Sequence, residues 1–267
     1  MKALASPPHP YRTANRLITV SGSRASGNPA VIVFFSINKE AAMDYSPLWI
    51  SLKVALLATI FTFVFGILAA RYVVRLKRFQ GLIDGLFTLP MILPPTVVGF
   101  ILLLIFGKNG WIGKLLGLMN VTVVFTWIAA VIAATVVSFP ILYRTVRGAF
   151  EEVDADMIHA ARTLGLKESA IFFRIVLPNV VPSLIAGTIL AFARALGEFG
   201  TTIMIAGNIP GRTQTMAVAV YTAVQAGNRE LAYQWMLIIC AISFSSMFLI
   251  NLVNSRHRRN SVRRGVL

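Results

Sequence analysis

Acidic residues are scarce in this chain: 10 Asp and Glu stand against 25 Lys and Arg, a net charge of +15. Charge of either sign is scarce too. It makes up 13% of the 267 residues, roughly half of what a soluble domain carries, which excludes a surface wetted on all sides. Cysteine occurs once, at Cys240, so an internal disulfide and a cysteine-rich metal site are excluded and a packing role is expected. The three histidines, His9, His159 and His257, are too far apart to make a ligand-spaced pair, and no Ser/His/Asp set accompanies them. A phosphate-binding loop is missing as well, since Gly113-Lys114 is followed by Leu115 and lacks the upstream glycine. The chain is therefore expected to bind no ATP, metal or cofactor itself. Short alternating strands do not dominate, which argues against a membrane barrel.

What is abundant is apolar sequence, 57% of the chain, in runs long enough to cross a bilayer as helices of roughly 18 residues or more. The fold class predicted is all-α, a polytopic helical membrane protein of about five spans. They run from about Trp49 to Val74, Phe87 to Phe106, Val121 to Tyr143, Val176 to Leu196 and Tyr233 to Val253. Prolines fall where such helices bend or break: Pro90, Pro94 and Pro95 in the second, Pro140 in the third, Pro178 and Pro182 entering the fourth. They could mark a transport path or be ordinary membrane-helix prolines.

The excess of positive charge suggests nucleic acid until its placement is considered. Arg71, Arg75, Lys77 and Arg78 follow the first run, Arg144 and Arg147 the third, and Arg256, Arg258, Arg259, Arg263 and Arg264 the last. Basic residues flank spans on the cytoplasmic side, so the pattern predicts an outside start, a cytoplasmic C-terminus and no nucleic-acid partner. Residues 256–267 form a basic tail suited to anionic lipid. Residues 1–43 fit this orientation poorly, with Lys2, Arg12, Arg16, Arg24 and Lys39 against Glu40. They read either as a disordered extension or as a misassigned start, with translation beginning at Met43. The membrane-spanning domain is then 44–255.

Between the third and fourth spans, residues 150–175 form a cytoplasmic segment holding Glu151, Glu152, Asp154, Asp156 and Glu168, five of the ten acids. Asp154 is a good N-cap and Asp156 suits the first helical turn. Met157, Ala160, Ala161 and Leu164 recur at i, i+3, i+4 and i+7 as one apolar stripe, and Gly165 ends the helix. Small Ala160, Ala161 and Gly165 let another surface approach. The helix fits a partner protein's groove or, alternatively, a lipid interface.

Ala160-Ala161-Arg162-Thr163-Leu164-Gly165, with Ile175-Val176-Leu177-Pro178 after nine intervening residues, resembles the EAA signature of importer permeases of the ATP-binding-cassette family. The resemblance implies that Asp154 to Gly165 is a coupling helix seated in an ATPase subunit, with Asp154, Met157, His159, Ala160, Ala161, Leu164 and Gly165 as its contact residues. His159 departs from the pattern, standing where the family usually has Glu; this puts a salt bridge to the ATPase in doubt. Phe192-Ala193-Arg194-Ala195-Leu196-Gly197-Glu198-Phe199-Gly200 is similar to sulfate and molybdate permeases. Asn208-Ile209-Pro210-Gly211-Arg212-Thr213-Gln214-Thr215 is closer to molybdate permeases, and Leu89-Pro90 to Gly99 also matches. Together these imply a bacterial inner-membrane importer subunit for molybdate, or for sulfate or tungstate. Its expected partners are two ATPase subunits carrying ATP and Mg, a second copy of itself and an external molybdate-binding protein.

Arg194 and Glu198, four apart, share a helix face. They are expected to form a structural ion pair, or to place Arg194 on the translocation path with Thr201 and Thr202 beside it; the threonines could equally satisfy backbone carbonyls within a helix. Pro210, Gly211 and Arg212 lie in an outward loop that could meet the binding protein or simply make a tight turn. A rival class, a secondary transporter driven by an ion gradient, predicts mid-membrane ionisable residues and internal repeats. Neither is evident.

Overall fold

The computed structural model describes residues 44–76 and 78–264; the predicted extension 1–43 lies outside them. Helix α1 runs Ser46–Arg75, with Pro47 in its first turn, where a missing N–H leaves no helical bond unmade. One face carries Ser51, Ala55, Ala58, Thr62, Gly66 and Ala70, three or four apart and all buried. Small residues allow close backbone approach inside a bilayer, where packing and hydrogen bonds replace the hydrophobic effect between helices. This face packs on α5, Trp127–Glu151, whose Ala130, Ala133, Ala134 and Ser138 are also buried. The Thr62 and Ser138 hydroxyls meet at 3.0 Å across the crossing. Leu142 of α5 sits between Gly66 and Gly187 of α8 (Leu177–Leu196), completing a three-helix core. Leu56, Ile60, Phe65 and Leu68 on the other side of α1 are exposed, as residues facing lipid would be.

The predicted span from Phe87 to Phe106 is not one straight helix. α2 (Gln80–Ile92) and α3 (Pro95–Phe106) meet at 111°. Leu93 and Pro94 are extended, because a residue before proline avoids the helical region and two successive prolines offer no N–H. After the short α4 (Trp111–Gly117), the third span begins at Trp127 rather than Val121. Phe125, at φ 62°, donates its N–H to Ile205 O at 3.0 Å, which holds the preceding chain away from the helix.

Helix α6 (Ala155–Thr163) leads to α7 (Glu168–Ile171), a π-helical turn over Phe172–Val176, and then α8. The fourth span therefore starts near Glu168, not Val176, and is apolar enough to cross from Glu168 to Leu196. Pro178 lacks the N–H that would bond one turn back, and the wider turn falls just before it. Sequence reading passes over α9 (Gly200–Ala206) and α10 (Met216–Gln225). α11 (Arg229–Arg264) is longer than the predicted fifth span at both ends, taking the basic stretch from Arg256 to Arg264 into the helix. Cys240 is exposed rather than packed. Among the described residues four helices are long and apolar enough to cross a membrane, or five if α2 and α3 count as one.

The bend is held by α9. A β-carbon on Gly99 would lie 2.7 Å from Met204 Cβ and 3.0 Å from the Thr201 backbone, and one on Gly200 would lie 2.9 Å from Pro95 Cβ. Gly99→Ala is expected to force α3 from α9 and cost about 1–3 kcal/mol, read as a lower unfolding temperature in detergent. Gly85→Ala, with nothing within 4 Å of the added atom, is the control and should not lower it.

Candidate functional site

Helix α6 is defined at both ends by local chemistry. The Asp154 carboxylate accepts the Asp156 N–H at 2.8 Å. At the far end Gly165 takes φ +76°, its N–H donates to Arg162 O at 2.9 Å, and the Leu166 N–H donates to Ala161 O at 3.2 Å. These two bonds form a Schellman motif, which needs a left-handed residue at Gly165. Met157, His159, Ala160 and Leu164 are exposed, Leu164 by 81%. Ala161 is not part of that surface. It is 3% exposed and faces the chain's own interior, because it lies 100° around the helix from Ala160. The predicted stripe thus splits into an open ridge of Met157, Ala160 and Leu164 and one inward anchor.

Arg162 and Glu168, which sequence reading did not pair, tie α6 to α7: Arg162 Nε donates to Glu168 Oε1 at 2.6 Å and Nη2 to Oε2 at 3.3 Å.

A second cluster lies at the end of α8. Arg194 Nη1 meets Glu198 Oε2 at 2.7 Å, and Glu198 is 3% exposed. The other carboxylate oxygen accepts the Thr201 N–H at 2.7 Å, capping α9, while Thr201 Oγ1 donates to Pro95 O at 3.0 Å. Pro95 opens α3 at the bend. Thr201 and Thr202 are buried; the carbonyl that Thr201 satisfies belongs to α3 and not to its own helix. Arg194 alone keeps a third of its side chain exposed.

The loop 207–215 contains Pro210, Gly211 and Arg212, all exposed. Ile209 O accepts the Arg212 N–H at 3.0 Å, with Pro210 and Gly211 (φ +72°) between, a type II turn. The backbone does the turning and the Arg212 side chain is left free for other contacts.

One cluster was missed altogether. Asp84 of α2 forms an ion pair with Arg147 of α5 and accepts the Tyr143 hydroxyl at 3.0 Å, and Arg147 Nε also reaches Glu151 at 2.9 Å. Phe87 stacks edge-on against Phe139 and Tyr143 at 5.4 and 5.3 Å. The available signal was an acid inside an apolar run, which must find a partner. Asp84→Ala is expected to loosen α2 from α5 by about 1–2 kcal/mol, given the partial exposure of the pair. Thermal unfolding in detergent would measure this, and an unchanged midpoint would count against it. No group of three or more His, Cys, Asp or Glu able to hold a metal occurs among the described residues.

Residues 62–259 match the model of the family described as "Binding-protein-dependent transport system inner membrane component". The molybdenum transport system permease protein of Escherichia coli is 43% identical over 77% of this chain and 91% of its own length. The sulfate transport system permease protein of Salmonella typhimurium is 38% identical over 80% of this chain and 77% of its own. Among solved structures, a bacterial ABC transporter involved in the import of the acidic polysaccharide alginate aligns with TM-score 0.62 and 15% identity. The alignment covers 80% of this chain and 78% of that one, and the likeness is one of fold.

Proposed function

The chain belongs to the family of binding-protein-dependent transport system inner membrane components, and from that premise we propose that two copies of it form the membrane pathway of an ATP-driven molybdate importer. The reading is supported by the similarity to molybdenum permeases and, physically, by the bare ridge of Met157, Ala160 and Leu164 on a capped helix. That ridge is the ATPase docking surface, and ATP with its Mg belongs to the partner subunit. The N-terminal end of α1 and the loop 207–215 face outward, where Pro210, Gly211 and Arg212 meet the external binding protein. The C-terminus is cytoplasmic.

Force travels through a continuous solid. α6 is joined to α7 by the Schellman turn and the Arg162–Glu168 bridge, and α7 runs through the π turn into α8. The Glu168–Leu196 stretch is 29 residues, about 43 Å of helix. At its end Glu198 and Thr201 grip the bend between α2 and α3. Closure of the ATPase pair on ATP draws the two α6 ridges together. Each α8 then moves its bend, opening the pathway outward; hydrolysis resets it. Arg194 and Glu198 act as the brace in this linkage.

Proteoliposomes carrying the chain, its ATPase and the loaded binding protein test the proposal. Molybdate uptake should require ATP, compete with tungstate and resist equal sulfate. Uptake driven by an ion gradient without ATP would replace this reading with the secondary-transporter one.

A further inference from the structure

Lys53 was not singled out by sequence reading, yet it lies about 10 Å along α1 from Ser46, within the apolar length of a predicted span. Among the described residues it forms no ion pair, and neither does Arg212. A charge in such a helix without a counter-charge is costly and marks a functional site by default. Its ammonium lies 3.6 Å from the centroid of the Trp127 ring at the start of α5, a cation–π contact that fixes its direction. Lys53, Trp127 and Arg212 line one cleft of about 260 Å³ with Ile50, Val54 and Gly211. That volume is far above the ~10–15 Å³ needed to admit one water. A lysine that only snorkelled would have no use for a second cation in the same cleft, because like charges repel.

We propose that this cleft is a binding site for a free tetrahedral oxyanion. Two cations, one of them directed by the Trp127 ring, with no carboxylate lining the cleft beside them, match a dianion; the walls of Ile50, Val54 and Trp127 lower the local dielectric and strengthen the attraction. Exposed Lys53 and Arg212 keep the site open to exchange, as a way station between the external binding protein and the pathway requires. This purpose rests on the transport reading given above; the binding itself does not.

The purified complex with its ATPase, in phosphatidylcholine nanodiscs, is titrated with sodium molybdate at ionic strength held constant with sodium chloride. The readout is intrinsic tryptophan fluorescence. A saturable change is expected that disappears in Trp127→Phe and shifts to at least tenfold higher molybdate in Lys53→Gln and in Arg212→Gln. Both cations are on exposed side chains, so these variants should fold. No saturable change, or the same change in the double variant, would overturn the site. Adding phosphatidylglycerol distinguishes a lipid source: if headgroups produce the signal without molybdate and block the titration, the free-ion site is overturned. ATP-driven uptake is measured on the same wild-type complex. Transport without the fluorescence change overturns the site alone, whereas the fluorescence change without transport leaves the site standing and overturns the transport reading.

Discussion

Leu164→Arg is expected to reduce ATP-driven uptake at least about 100-fold while leaving the chain at its normal level in the membrane. Leu164 is 81% exposed, so the folded chain loses little by its replacement. A cation at a helix C-terminus is favoured by the dipole, so α6 itself should persist. The loss falls on docking. Burying a leucine is worth about 1.5–3 kcal/mol, and placing a charge in the same apolar groove adds a desolvation cost; at about 1.4 kcal/mol per factor of ten, the sum reaches two decades or more. Co-purification of the ATPase with the variant in mild detergent reads this directly. Stoichiometric recovery would show that the ridge is not the docking surface. Ala161→Leu should fail differently, lowering the amount of folded chain by overpacking, since Ala161 is an internal residue.

Arg194→Ala should destabilise the chain more than Glu198→Ala, by about 3–5 kcal/mol, because it strands a buried carboxylate. Removing Glu198 leaves a guanidinium that is one-third exposed and an uncapped Thr201 N–H. That combination is expected to cost about 2–3 kcal/mol. Replacing both removes the stranded charge but still leaves the Thr201 N–H uncapped, so the double variant should recover part of the Arg194→Ala loss and still take up molybdate. The measurements are unfolding midpoints and uptake normalised to membrane level. A double variant that assembles normally but transports nothing would place Arg194 on the anion's path instead of in a brace. A transmission role for the brace also predicts that Glu198→Ala lowers the uptake obtained per ATP hydrolysed, which a purely local structural role would not do.

Much of the segment 150–175 was legible because its signals act within a helical turn. Asp154 caps the N–H two residues on, and the chain reverses at Gly165 through bonds from Gly165 to Arg162 and from Leu166 to Ala161. Both depend on neighbours that any reading of the sequence includes. The direction of Ala161 was not legible. Periodicity groups Met157, Ala160, Ala161 and Leu164 on one stripe, but which edge of that stripe turns inward depends on where α7 and the rest of the chain lie. The break at Leu93-Pro94 was half legible: the prolines marked a bend, yet apolar content averaged over the whole run suggested a single span.

The sequence by itself determined the membrane class, the approximate number of spans, the capped helix α6 and the family resemblance. Each follows from composition, run length or residue spacing, and none needs the helices to be assembled. Only the tertiary structure decided which charges meet. Asp84 finds Arg147, Glu198 grips α9 while Thr201 reaches back to Pro95, and Lys53 shares a cleft with Arg212, all across helices whose crossing points no local pattern specifies. Those crossings are set by the small residues that allow close approach, Gly66, Gly99, Gly187 and Gly200 among them. The positions of such residues can be read in the sequence, but the side chain that fills the space over each one appears only when the helices pack.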